Sequence, residues 1–126
     1  MKNLPAALAV ATLVLACAAA RADDSKDLAM RTLAARSGCV ACHTVEAGKP
    51  GPDGGKPIGP PWQDVAKRYR GQSDAQDKLV KTVLQGSNPY YAHWKDKVSG
   101  FAMPPNAVAI SEADAKALVG WILKLP

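Results

Sequence analysis

The stretch Gly38-Cys39-Val40-Ala41-Cys42-His43 determines how the rest of this sequence is interpreted. Two cysteines three positions apart, followed at once by a histidine, form the C-x-x-C-H pattern typical of covalent c-type haem attachment. Residues three and four apart share one face of a helical turn. Cys39 and Cys42 can therefore each form a thioether with one haem vinyl group, while His43 projects from the same face toward the iron.

Three other kinds of site use cysteines at this spacing. A zinc site is disfavoured because it would place the sequence neighbours Cys42 and His43 on one metal, which is an awkward geometry. A thioredoxin-like redox pair needs a βαβ context that the sequence lacks. The third alternative is a disulfide across the short loop. The adjacent histidine and the long loops described below favour haem over all three.

An iron atom held by one histidine has an open sixth position unless the protein fills it. Met103 is the predicted ligand, because Pro104 biases it toward an extended backbone and the following Pro105 stiffens the loop further. Met30 lies at helical spacing in the predicted first helix and is expected to pack in the core. His93 is the competing ligand, although an exposed or hydrogen-bonded side chain is the ordinary expectation for it.

The remaining sequence predicts an all-α fold of about four short helices and long loops. Helices are expected at 26–37 with Ser25 as cap, at 62–69, at 75–85 with Asp74 as cap, and behind an approximate capping box formed by Ser111 and Asp114. Ten of the 14 residues in 48–61 are Gly or Pro, so this stretch is a loop. Residues 86–106 form a second long loop. Long loops in a compact domain need a functional explanation, and a large ligand between them supplies one.

The first 22 residues have the composition of a secretory signal peptide. Lys2 precedes an apolar run from Leu4 to Ala20, and Ala20-Arg21-Ala22 provides a small-x-small cleavage site. Residues 23–126 are then a single exported domain, predicted to be periplasmic. A lipid anchor at Cys17 is the minor alternative, since the preceding residues loosely resemble a lipoprotein box.

Removing residues 1–22 also changes the charge. The formal net charge falls from +5 to +3 because Lys2 and Arg21 are removed with the segment. That charge is too mild to indicate a nucleic-acid partner. The domain that remains has no apolar run long enough to cross a bilayer.

The order and spacing of these motifs resemble those of small class I bacterial cytochromes c with one haem. The matching stretches are 38–43, 58–60, 103–108 and the C-terminal helix with Trp121. The resemblance implies that the Pro60 carbonyl accepts the Nδ1–H of His43 and so fixes its tautomer and orientation. It also implies that Trp62 approaches the haem propionates.

One stretch departs from the family pattern. Residues 86–103 are several positions longer than expected for the shortest members, so this segment is the predicted place for partner specificity. Six basic residues lie in the two loop regions and the second predicted helix. They either form a basic rim for an acidic partner or are simply solvated. They are Lys49, Lys56, Lys67, Arg68, Lys95 and Lys97.

With both axial positions filled, the iron has no vacant site for a substrate. The predicted function is therefore one-electron transfer between redox proteins, by a monomer or in transient complexes, and not enzymatic catalysis. One alternative is a dedicated cytochrome c subunit of a periplasmic dehydrogenase, docking through 86–103. The other is a haem peroxidase or gas-binding protein, which requires Met103 to be displaceable.

Overall fold

The computed structural model describes residues 23–91 and 93–126. The predicted signal peptide and Cys17 lie outside this part of the chain. Within these two ranges the fold has four α-helices: α1 at residues 23–36, α2 at Trp62–Tyr69, α3 at Ala75–Gln85 and α4 at Glu112–Ile122. The described residues contain no strand, which confirms the all-α prediction. None of the helices in these ranges is long and apolar enough to span a membrane.

The predicted helix ends are partly right. Ser25 already lies within α1, so its predicted role as the cap is wrong. Asp74 precedes α3 but makes no capping bond, because its carboxylate pairs instead with Lys78 Nζ at 2.7 Å. Before α4, the Ser111 hydroxyl accepts a hydrogen bond from the Asp114 backbone N–H at 3.1 Å. This last bond is half of the predicted capping box.

The core lies where α4 packs on α2 and α3. Leu118, Val119 and Ile122 are buried along α4. Trp121, also on α4, meets Trp62 of α2 edge-to-face with ring centroids 5.7 Å apart. The Trp121 indole N–H donates to the Asp27 carboxylate at 3.2 Å, so α1 is tied to α4 by a polar contact at the edge of the core.

The two long loops are joined directly to each other. The backbone N–H of Ser99 donates to the Pro57 carbonyl, and that of Gly100 donates to the Ile58 carbonyl, both at 2.9 Å. These bonds link the segment after the C-x-x-C-H motif to the segment before Met103. The loops therefore form one frame, which positions the candidate site.

Candidate haem site

The C-x-x-C-H motif forms a tight turn directly after α1. Gly38 adopts a left-handed conformation with φ 77°, which glycine adopts without steric cost, and a 3-10 turn over Cys39–Ala41 follows. The Cys39 carbonyl accepts hydrogen bonds from the N–H groups of Cys42 at 3.2 Å and His43 at 3.1 Å. Burial raises the pKa of the Cys39 thiol. The turn brings both thiols and the imidazole to one cleft.

Two contacts fix the orientation of the His43 ring. Its Nδ1 lies 2.8 Å from the carbonyl oxygen of Pro60. A carbonyl only accepts, so Nδ1 carries the proton and the lone pair is on Nε2. The ring also stacks on Trp62, with centroids 5.8 Å apart and planes inclined by 19°. Burial lowers the pKa of His43, opposed by the bond to Pro60. The neutral imidazole therefore has Nε2 available for a metal.

Gly59 allows the loop to pass close beside this ring. Its N–H donates to the Cys42 carbonyl at 2.7 Å. A Cβ at Gly59 would lie 2.8 Å from His43 Cε1 and 3.0 Å from its Nδ1. Real Cβ atoms do not approach other atoms so closely, so only glycine fits without displacing the imidazole.

Met103 is held at the end of α3 by backbone and side-chain bonds. The Ser87 N–H donates to the Met103 carbonyl, and the Met103 N–H donates to the Ser87 hydroxyl, both at 2.9 Å. Asn106 secures the following residues, since its N–H donates to the Val83 carbonyl at 3.1 Å and its side-chain amide to the Pro104 carbonyl at 2.6 Å. The Met103 backbone is thus fixed on both sides.

The predicted site residues meet at a single cleft. Cys39, Cys42, His43 and Met103 all line a cavity of about 390 Å³, within the usual size of cofactor sites at roughly 300–1,000 Å³. Pro60 and Trp62 line it as well. The other walls are largely apolar, and include Val65, Leu79, Val83, Leu118 and Ile122. Two thiols, an imidazole and a thioether in an apolar cleft are the groups that a covalently attached haem requires.

The competing assignments receive less support from the geometry. His93 also lines the cleft, but its side chain is exposed and its ring lies edge-to-face on Trp94 at 4.8 Å. Met30 packs against the hydrophobic core, as predicted. Cys39 and Cys42 are not joined in a disulfide. Among the described residues, no three His, Cys, Asp or Glu side chains are grouped as a metal site, which leaves the zinc alternative without support.

Sequence reasoning missed the role of Ser87 and understated that of Asn106. Ser87 lies 16 residues before Met103 in sequence, and nothing in the local pattern Gly86-Ser87-Asn88 indicates such a partner. For Asn106 the sequence indicates only that it belongs to the stretch after Met103. The predicted approach of Trp62 to the haem propionates stays a prediction, because the ring contacts that the structure shows for Trp62 are with His43 and Trp121.

Comparison with known proteins agrees with this geometry. A family model described as Cytochrome c matches residues 29–126. The chain belongs to the cytochrome c family. It is 44% identical over 98 residues to cytochrome c-551 of Allochromatium vinosum, covering 78% of this chain and 87% of that protein. It is 38% identical over 93 residues to cytochrome c-552 of Nitrosomonas europaea, covering 74% of this chain and 75% of that protein.

A solved cytochrome c552 shows the same fold. The crystal structure of the wild-type Nitrosomonas europaea protein superposes with a TM-score of 0.59 at 38% identity, and covers 76% of this chain and 99% of that one. As a small bacterial cytochrome c, the chain carries covalently bound haem c and transfers electrons; it is not an enzyme. The resemblance noted in the sequence is therefore confirmed. Neither the dehydrogenase-subunit nor the peroxidase alternative is favoured by these relatives.

Proposed function

We propose that Cys39 and Cys42 would form the two thioethers to the haem and that His43 and Met103 would be the ligands of its iron. The support is that all four side chains line one cleft. Because the thioethers fix the haem independently of the axial ligands, loss of one ligand does not release the cofactor.

The observation that carries this assignment is the 2.8 Å contact between His43 Nδ1 and the Pro60 carbonyl. A histidine that donates through one ring nitrogen to a carbonyl presents the other to a metal, with its tautomer and plane already set. Trp62, stacked on the imidazole, restricts its tilt. We assign Pro60 and Trp62 to positioning His43, while the two cysteines hold the haem.

The haem supplies a one-electron couple between ferrous and ferric iron, and methionine ligation raises its reduction potential. The chain's own task is to keep His43 and Met103 in place in both oxidation states and to exclude water from the apolar cleft. With His43 and Met103 both holding the iron, no coordination site would be left for a substrate. The protein thus acts as a one-electron carrier between redox protein donors and acceptors.

We also propose that this carrier works in the periplasm, exported by residues 1–22 as a cleaved signal peptide. The support is the sequence alone, since these residues lie outside the described part of the chain. The mass of the mature N-terminal peptide distinguishes cleavage before Asp23 from a lipidated N-terminus at Cys17.

Visible spectra of the haem-loaded protein in both redox states test the ligand assignment. We expect a low-spin c-type spectrum, with a methionine–iron charge-transfer band in the oxidised form. Met103→Ala should keep the haem attached, lose that band and bind carbon monoxide rapidly when reduced. Met30→Ala is the matched control and should keep the native spectrum. An unchanged low-spin spectrum in Met103→Ala would show that another residue is the ligand.

A further inference from the structure

Two tryptophans lie in series behind the proposed histidine ligand. The His43 imidazole stacks on Trp62, with ring centroids 5.8 Å apart. Trp62 in turn meets Trp121 of α4 edge-to-face, with centroids 5.7 Å apart. Both tryptophans are buried, at 4% and 8% exposure. Trp62 and Trp121, which we call the tryptophan path, therefore lead from His43 through the core by direct contact between aromatic rings.

The far end of the tryptophan path lies at the surface between α1 and α4. The Trp121 indole N–H donates to the Asp27 carboxylate at 3.2 Å, and the Asp27 side chain is 42% exposed. The Arg31 guanidinium lies over the same indole, 5.9 Å from the ring centroid. The path thus begins at a proposed iron ligand and ends at an ion pair that faces solvent.

The charges around Trp121 suit a ring that loses an electron. An indole that gives up one electron becomes a radical cation and a strong acid, so it needs a proton acceptor, and Asp27 is already bonded to its N–H. The cation of Arg31 alone would oppose positive charge on the ring. Arg31 is, however, paired with Asp27 at 2.6 Å and with Glu46 at 3.7 Å. Two carboxylates and one guanidinium together carry a formal charge of minus one.

Trp94 provides a comparison within the same protein. It also lines the haem cleft, but the ring contacts that the structure shows for it are with His93 at 4.8 Å and Lys97 at 5.8 Å, both exposed. Electron tunnelling falls steeply with distance, so rings in contact in series exchange electrons quickly. The structure provides such a series from His43 through Trp62, and Trp94 is not part of it.

We propose that the tryptophan path carries an oxidising equivalent from the haem to the protein surface and so protects the haem from oxidative damage. This inference rests on the proposed function in taking His43 as an iron ligand. The oxidant is hydrogen peroxide, which meets the iron only when Met103 has dissociated. The reaction is therefore distinct from the ordinary transfer of electrons between proteins.

The electrons and protons of this reaction balance. Hydrogen peroxide takes up two electrons and two solvent protons, its O–O bond breaks, and two molecules of water form. One electron comes from the ferrous haem, which becomes ferric, and the other comes from Trp121 by way of Trp62. The N–H proton of Trp121 moves to Asp27. One electron from an external reductant such as ascorbate then restores Trp121, and the proton returns from Asp27.

Freeze-quenched electron paramagnetic resonance of the reduced, haem-loaded protein mixed with hydrogen peroxide tests the proposal. We expect an indole radical, identified by the change in its signal when the tryptophans are ring-deuterated. Peptide mapping by mass spectrometry should then find added oxygen at Trp121, and much less of it when ascorbate is present. Absence of an indole radical, or oxygen added to Trp94 as often as to Trp121, would overturn the proposal.

Trp62→Phe interrupts the tryptophan path and leaves Trp121 in the protein. We expect Trp121 to lose its radical and its added oxygen, and the haem absorbance to bleach several times faster. Trp94→Phe is the matched control and should behave as the wild type. A merely structural role for Trp62 predicts the opposite result, because looser packing would expose Trp121 to peroxide. If Trp121 in Trp62→Phe is oxidised as much as in the wild type, the proposal is wrong.

Asp27→Asn tests the proton transfer without altering the core. Asparagine still accepts a hydrogen bond from the indole but cannot take up its proton, so the yield of the Trp121 radical should fall. An unchanged yield would overturn the proton transfer and the proposal with it.

The visible spectrum keeps this test distinct from that of the proposed function. Each variant should keep a low-spin spectrum, which shows that the iron retains its ligands. A high-spin spectrum of the wild type would refute the ligand assignment itself. A wild-type protein that shows the methionine–iron band but leaves Trp121 unmodified by peroxide would refute the tryptophan path alone.

Discussion

Ser87 and Met103 hold each other through two hydrogen bonds of 2.9 Å, one between their backbones and one from the Met103 N–H to the Ser87 hydroxyl. The pair joins the end of α3 to the loop that carries the proposed sixth ligand. A methionine sulfur binds iron only as firmly as its backbone is held, because the thioether is a neutral and rather weak ligand. The hydroxyl of Ser87 is therefore expected to affect the iron without touching it.

Ser87→Ala should leave the half-buried Met103 N–H without its partner. We expect a loss of about 1–3 kcal/mol in the free energy of unfolding, the usual range for an unsatisfied buried donor. The methionine–iron band should weaken, and added imidazole should bind the oxidised iron faster. Ser99→Ala is the control, since that hydroxyl makes only a 3.4 Å contact with the Pro57 carbonyl. If the two variants behave alike in imidazole binding, Ser87 does not position Met103.

Gly59→Ala should disturb His43 directly. The new Cβ would lie 2.8 Å from the imidazole Cε1, so either the ring or the loop must move. Such overpacking typically costs about 1–3 kcal/mol. We expect a lower melting temperature and a shifted reduction potential. Gly120→Ala within α4 is the contrasting variant, because its Cβ meets nothing closer than 3.5 Å and alanine favours helix by roughly 0.5–1 kcal/mol. Its potential should not change.

Asp27 should contribute to stability and not to the properties of the iron. Its carboxylate accepts from the Trp121 indole N–H at 3.2 Å and pairs with Arg31 at 2.6 Å. Asp27→Ala removes both contacts, and because the carboxylate is 42% exposed we expect a loss of only about 1 kcal/mol on chemical denaturation. Asp27→Asn keeps an acceptor for the indole and should recover part of that loss. A changed visible spectrum in either variant would contradict this account.

The ion pair between Asp74 and Lys78 should make a small contribution to stability that depends on pH. The hydrogen bond from Lys78 holds the pKa of Asp74 below its usual 3.8. A carboxyl with a depressed folded-state pKa stabilises the protein above its unfolded-state pKa, and the effect is lost as the pH falls through the folded-state value.

Asp74→Asn should therefore lower the melting temperature slightly at neutral pH and not at all in strong acid. The effect stays small because the pair is exposed to solvent. Asp24→Asn removes an exposed carboxylate that makes no ion pair in the described chain, and should show no such dependence. If the melting temperature of Asp74→Asn stays below that of the wild type in strong acid, the Asp74 carboxylate does not stabilise the protein through this ion pair.

The sequence predicts those features that residues close together in the chain determine. Helices α2 and α3 were predicted at 62–69 and 75–85, the bounds that the structure shows, because glycines and prolines delimit them. The C-x-x-C-H spacing predicted the cofactor, because attachment chemistry needs residues close in sequence. Caps were less predictable: Asp74 has a side chain that can cap a helix, yet Lys78 one turn later competes for it.

Contacts between distant residues could not be predicted from such patterns. Ser87 is an unremarkable turn residue until the fold brings Met103 beside it. The stacking of Trp62 on His43 depends on how α2 approaches the motif turn, which no periodicity encodes. By contrast, the bond between His43 and Pro60 was expected from the family resemblance, although 17 residues separate the two in sequence.

The backbone bonds that join residues 57–58 to 99–100 have a thermodynamic consequence. They tie the loop beside His43 to the loop that leads into Met103, so neither can shift alone when the iron changes charge. A partner then meets almost the same shape in the oxidised and reduced protein, so only the one-unit difference in the charge of the iron can make its affinity differ. Linkage is reciprocal: a partner with equal affinity for both states leaves the reduction potential unchanged. Docking would thus change the driving force for each electron through that charge and not through a change of shape.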